Sequence, residues 1–155
     1  MTIQHLPQVL AIERDAFTAP WSNEVFMHEL QGIDVSRSFV ALLGERVLGY
    51  MIAWFIDEEV HLINIAVAKT ERRRGIGSLL LIHLIDRSLD EERKLITLEV
   101  RASNVSAASL YRSFEFEYIG IRERYYSDNR EDAILMALDL DAYRRRERKR
   151  RWEES

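Results

Sequence analysis

Residues 59 to 100 hold two apolar runs, EVHLINIAV and KLITLEV, joined by the basic turn AKTERRRGIG and the leucine-rich stretch SLLLIHLIDRSLD. Both runs place Val, Ile and Leu on either face, the pattern of strands inside a sheet. The joining segment at 76–89 has the length and apolar content of a helix. A strand–helix–strand unit of this kind (60–67, 76–89, 94–100) closes with parallel strands and a right-handed crossover. Any fold open to this chain has to be built around that unit.

The flanking sequence supplies the rest. In LPQVLAIERDAF, residues 6–17, Leu6, Val9, Leu10, Ile12 and Phe17 fall near helical spacing. Ser22 is positioned to cap a second helix running to about Leu30. SFVALLGERVLGYMIAWFI reads as two strands, 38–43 and 46–56, around a turn at Gly44-Glu45. A short helix follows Asn104, and EYIGIRERYY with DAILMALDL form a closing antiparallel pair. The expected fold class is therefore mixed α/β (α+β by its hairpins). It has a mostly antiparallel sheet, a central parallel strand–helix–strand unit and flanking helices. With 155 residues the chain makes one domain, 1–140, followed by a basic tail, 141–155.

Charge and composition narrow the functional classes. Residues 1–140 carry 15 basic and 22 acidic side chains, whereas residues 141–155 carry seven basic and four acidic ones. An acidic body has the wrong sign for general nucleic-acid binding, so no sequence-specific nucleic-acid contact is expected. The tail DAYRRRERKRRWEES reads as a solvated helical extension or as a segment touching an anionic surface. Cysteine is absent, which removes disulfides and thiolate metal sites and suits a reducing, cytoplasmic setting. The four histidines show no metal-ligand spacing, and no metal is expected. No apolar run is long enough to span a bilayer and the N-terminus lacks a signal-peptide pattern, so no membrane partner is expected.

The turn R-x-x-G-x-G, Arg72 to Gly77, fits neither of two familiar phosphate cradles. A Walker loop needs a lysine after its last glycine, and a dinucleotide fingerprint needs a third glycine where Leu80 stands. Its chemistry is still that of an anion site. Glycines let backbone approach a ligand, amides at a helix start point outward, and arginines add charge-assisted bonds. The plainer reading is a helix entry whose arginines are merely solvated.

The segments NIAV, ERRRGIGSLLL, HLID, LEVRASNVSAASLY and REDAILMAL, with APWS before them, resemble the GNAT N-acetyltransferase superfamily. Their order is similar to a bacterial branch, the RimI type, that acetylates the N-terminal alanine of a small-subunit ribosomal protein. The resemblance covers most of residues 12 to 140. It implies that acetyl-CoA is the cofactor, with the backbone of Ile65, Ala66 and Val67 along the pantetheine arm. It also implies that Arg72, Arg73, Arg74, Gly75, Ile76, Gly77 and Ser78 wrap the pyrophosphate, and that Asn104 touches the cofactor. The partner it implies is a protein or peptide N-terminus, a ribosomal protein above all.

Glu99 interrupts the apolar strand LITLEV near its end. Read from the residues alone, it is either a general base, its pKa raised by scarce solvent, or a strand-end carboxylate paired with Arg101 or exposed beyond the sheet. The resemblance makes it the proton acceptor. Tyr111 lies seven residues, about two turns, beyond Asn104 on one helix face. The resemblance assigns it as the acid that protonates the departing thiolate; otherwise it is an aromatic packed on the sheet. Glu58, Glu59, Tyr125 and Tyr126 are candidate substrate contacts or a hydrated loop and a sheet-edge pair. Trp21 reads as a core anchor. One departure from the family pattern is Glu115, where relatives carry a helix-ending glycine. Either the helix ends differently or Glu115 bears a left-handed cost of about 1 kcal/mol. Two other readings stand beside N-terminal acetylation: a small-molecule amine acetyltransferase on the same scaffold, and a non-catalytic CoA-binding assembly protein.

Overall fold

The computed structural model describes residues 1–155. In chain order it contains α1 (Leu6–Ala16), α2 (Asn23–Gln31), β1 (Ser36–Leu43), β2 (Arg46–Ile56), β3 (Glu59–Val67), α3 (Ile76–Asp90), β4 (Leu95–Arg101), α4 (Val105–Ser113), β5 (Glu117–Arg122), β6 (Ala133–Asp139) and α5 (Leu140–Glu153). The strand order is β1-β2-β3-β4-β6-β5. Strand pairs β1–β2, β4–β6 and β5–β6 are antiparallel, and the sheet holds one parallel pair. The expected mixed architecture is the one observed. No helix is long and apolar enough to cross a membrane.

The contacts gather into two compact units, Met1–Ile56 with Leu62–Leu84, and Asp57–His61 with Ile85–Ser155. In the first, Pro7 sits in the opening turn of α1, where its missing N–H costs nothing. Leu6, Val9 and Ile12 turn one face of that helix onto Val47, Tyr50, Ile52 and Ala66. Ser22 caps α2 as expected, its hydroxyl accepting from the Val25 amide at 3.3 Å. Phe26, fully buried, lies between the rings of Trp21 and Tyr50, at centroid distances of 5.3 and 5.7 Å. Trp21 is thus a core anchor.

This unit also buries Glu13, a residue that the helical pattern leaves unmarked. Its carboxyl accepts from the Tyr50 hydroxyl, from Asn64 Nδ2 at 3.1 Å and from the Trp21 amide at 2.9 Å. One acidic group therefore ties α1, the turn after it, β2 and β3 together. Burial, reinforced by the neighbouring Glu13 carboxylate, pushes the Tyr50 phenol far up, so it remains a donor. Gly49 on β2 serves a different purpose. A Cβ there would stand 2.9 Å from the Ala66 carbonyl and 3.2 Å from Ile76, so the bare backbone lets the start of α3 pack down.

In the second unit Ile96, Leu98, Val100, Ala108, Phe116, Met136 and Leu138 are buried. Along β4, Ile96, Leu98 and Val100 alternate with half-buried Thr97, Glu99 and Arg101. β3 alternates in the same way, with His61, Ile63, Ile65 and Val67 on its half-open face. Both strands are interior to the sheet, as expected, but each keeps one partly open face rather than two sealed ones.

The end of α4 settles the question of Glu115, which adopts φ +71°. The Phe116 amide bonds the Tyr111 carbonyl at 3.1 Å and the Glu115 amide bonds that of Arg112 at 2.9 Å. That pair of bonds is a Schellman stop, completed by the Phe116 ring against Tyr111, centroids 5.8 Å apart. The helix ends where a glycine would end it, and Glu115 carries the left-handed cost. The tail is helical and anchored at its root. Asp139 caps α5 through the Ala142 amide at 2.9 Å, Leu140 is fully buried, and Arg144 bonds the Leu89 carbonyl at 2.8 Å. Further along, Arg146 and Arg150 reach Glu115 at 3.2 and 2.8 Å.

Replacing Glu115 by Gly removes the backbone penalty of about 1 kcal/mol and, with it, the ion pairs to Arg146 and Arg150, which are weak at such exposed positions. The expected outcome is an unfolding free energy within about 1 kcal/mol of wild type, with faster amide exchange over residues 146–153. A loss well beyond that in chemical denaturation would show that the pairs outweigh the strain.

Candidate active site

The basic turn belongs to the first unit. After β3 a short 3-10 turn, Lys69–Glu71, leads into four turn residues and the start of α3 at Ile76. Gly75 has φ +83° and Arg73 φ +61°. At Gly75 this conformation favours a residue without Cβ. The first intrahelical bond runs from the Leu79 amide to the Gly75 carbonyl at 3.0 Å. The amides of Ile76, Gly77 and Ser78 precede it and lack an intrahelical acceptor, with the positive end of the helix behind them. Unpaired amides at a helix start are a geometry suited to an anion.

The three arginines are not equivalent. Glu71, buried to 6 % exposure, gathers both Arg46 and Arg74, the latter at 3.0 Å. Arg72 Nε donates to the Val67 carbonyl at 3.4 Å, fastening the turn to the end of β3. Arg74 thus has a resident carboxylate, while Arg73 is exposed on the turn. Ile65 and Val67 line the half-open face of β3, and Ala66 points into the core.

The second unit brings Glu99, Tyr111, Tyr125 and Tyr126 into one cluster. Glu99 Oε2 lies 2.6 Å from His61 Nε2, and Oε1 lies 3.6 Å from Arg122 Nε. The hydrogen bond from His61 holds the Glu99 carboxyl below the usual carboxylate range; partial burial opposes the shift, and the charges of His61 and Arg122 add to it. The sequence reading expected the opposite direction. Scarce solvent does raise this pKa, but two basic neighbours outweigh it. Nor is Arg101 the partner of Glu99. Its guanidinium forks onto Asp128 at 3.1 and 2.9 Å, reaches Glu131 at 3.6 Å and lies 3.9 Å above the Tyr126 ring. Arg101 therefore shapes the loop between β5 and β6.

That loop sets the two tyrosines edge to face, ring centroids 5.2 Å apart. Burial pushes the Tyr126 phenol up to about 12, against the lowering pull of Arg101. Tyr111 is 5 % exposed, and its phenol is raised further, first by burial and then by Tyr126. Asn104 is the cap of α4, its Oδ1 accepting from the Ala107 amide at 3.1 Å. Glu58 stands apart from the cluster, paired with Lys94 at 2.9 Å, and Glu59 is exposed at the head of β3.

The chemistry of this cluster is an ionised carboxylate with an imidazole on one oxygen, a guanidinium on the other and a buried phenol near by. Sequence reasoning missed His61 and Arg122. The available signal was the strand period, which sets His61 on the same face of β3 as Ile63 and Ile65. Residues 6–116 match the model of the acetyltransferase (GNAT) family.

The chain belongs to that family.

Among curated relatives, this GNAT chain is 39% identical over 137 residues to the ribosomal protein bS18-alanine N-acetyltransferase of Escherichia coli (strain K12), covering 87% of this chain and 91% of that protein. It is 32% identical over 141 residues to the putative ribosomal protein bS18-alanine N-acetyltransferase of Bacillus subtilis (strain 168), covering 91% and 93%. Among solved structures, the ribosomal-protein-S18-alanine N-acetyltransferase from Escherichia coli superposes with a TM-score of 0.83 at 37% identity, over 90% of each chain.

Proposed function

We propose that the protein transfers the acetyl group of acetyl-CoA to the α-amine of an N-terminal alanine, with a ribosomal protein as substrate. The observation that carries this reading is the cluster of Glu99, Tyr111 and Tyr126 in a chain whose relatives are named for alanine N-acetylation. The cradle fits the cofactor. Gly75 leaves room above the turn, the amides of Ile76 to Ser78 suit phosphate oxygens, and the exposed Arg73 adds charge. The backbone of Ile65 to Val67, in the same unit, extends the binding set, and Asn104 is a separate candidate contact.

Acetyl-CoA supplies a thioester carbonyl and a thiolate leaving group. This chain has to orient the amine, remove its proton and return a proton to sulfur. Glu99, with the imidazole hydrogen-bonded to it, is the acid–base pair that takes the proton of the incoming α-ammonium. Tyr111 retains its proton at neutral pH because burial disfavours the phenolate. It therefore acts as a relay, giving its proton to sulfur while taking one from the nitrogen that has become an amide. Tyr125 and Tyr126 frame the peptide end.

The test is intact-mass analysis of short peptides incubated with acetyl-CoA. A peptide that begins with alanine gains one acetyl mass at its α-amine, and the same peptide with a blocked N-terminus gains none. Acetyl found only on lysine side chains or on small amines would replace this reading with another acceptor.

A further inference from the structure

His61 lies on β3 and Glu99 on β4, within one compact unit, and their side chains meet at 2.6 Å. The carboxylate is 15% exposed and the imidazole 34%, so the histidine is the more accessible of the two. Arg122 holds the other carboxylate oxygen at 3.6 Å, and the ring of Tyr125 lies 5.9 Å from its guanidinium. An ionised carboxylate accepts, so Nε2 carries the proton of the shared bond, and in the neutral ring Nδ1 is then the nitrogen with the free lone pair.

We propose that His61 is the catalytic base of acetyl transfer: Nε2 donates to Glu99, and Nδ1 takes the proton of the incoming α-ammonium. This rests on the acetyl-transfer reading above and assigns the proton to the histidine of the pair rather than to Glu99. A carboxylate that already accepts from an imidazole N–H on one oxygen and faces a guanidinium on the other is a weak base toward an ammonium. Imidazole is the side-chain base best matched to proton exchange near neutral pH. Glu99 then orients the ring and stabilises the imidazolium, as a carboxylate does behind a histidine in a hydrolytic triad.

The step balances. The ammonium N–H bond breaks and its proton joins Nδ1. The freed nitrogen pair forms the N–C bond at the thioester carbonyl carbon, and the C–S bond breaks. The second nitrogen proton passes by way of Tyr111 to sulfur, and the imidazolium later releases its proton to water. The group in contact with His61 is Glu99 on β4; Arg122 at the end of β5 and Tyr126 on the following loop act on Glu99, Tyr125 lies beside both of these, and Glu59 is two residues away on the strand of His61.

The experiment compares wild type with His61→Gln and His61→Ala, using acetyl-CoA and whichever amine the wild type acetylates. Failure of the alanine assignment therefore leaves this test intact. With His61→Gln, kcat falls about 10²–10⁴-fold, KM for acetyl-CoA stays within twofold, and the rate climbs with pH without a plateau. With His61→Ala, added imidazole restores a substantial part of kcat, which a purely structural role does not allow. A His61→Gln enzyme with wild-type kcat and the wild-type acid limb overturns the proposal. So does a folded His61→Ala enzyme, low in activity, that imidazole fails to rescue.

Discussion

Replacing Glu99 by Gln lowers kcat for acetyl transfer about 10²–10⁴-fold and leaves coenzyme A affinity, read by calorimetry, within about twofold of wild type. The amide preserves shape and one acceptor but removes the carboxylate on which the proton-transfer step relies. Glu99 belongs to the Asp57–His61 and Ile85–Ser155 unit, whereas the proposed anion cradle, residues 72–78, lies in the other. Loss of cofactor affinity alongside kcat would mean that the substitution disturbs the sheet rather than the chemistry. An unchanged kcat would remove Glu99 from the reaction.

The largest expected effect on stability lies elsewhere. Glu13→Ala strands the Tyr50 hydroxyl, Asn64 Nδ2 and the Trp21 amide, all of which point at the missing carboxyl. Unsatisfied buried donors cost about 1–3 kcal/mol each, so the variant loses about 3 kcal/mol or more. Urea unfolding reads this as a lower midpoint with an unchanged slope. A loss below about 1 kcal/mol would indicate that water enters and bonds the three donors.

The frame of the fold was legible because its signals are local. Strand periods, the Ser22 cap, the Gly44 turn and the glycines before α3 all act over a few residues, and each element lies close to its expected place. What stayed hidden depends on partners far along the chain. Glu13 carried no signal in α1 because its acceptor role involves residues 37 and 51 positions away. Glu99 was legible as an interruption in β4, but the sign of its pKa shift was not. That sign depends on His61, 38 positions earlier, and on Arg122. The tail was legible as a helical extension from 141, and α5 begins at Leu140, where β6 runs into it with no intervening turn residues.

The left-handed glutamate at position 115 means that the C-terminal helix is not a detachable appendage. Its two arginine partners lie 31 and 35 positions downstream, on an element that a chimera would treat as freely exchangeable. Grafting a foreign terminus onto residues 1–140 would keep the strained backbone beside the Tyr111 helix and discard what offsets it. Positions 115, 146 and 150 therefore travel as a set in any recombined enzyme.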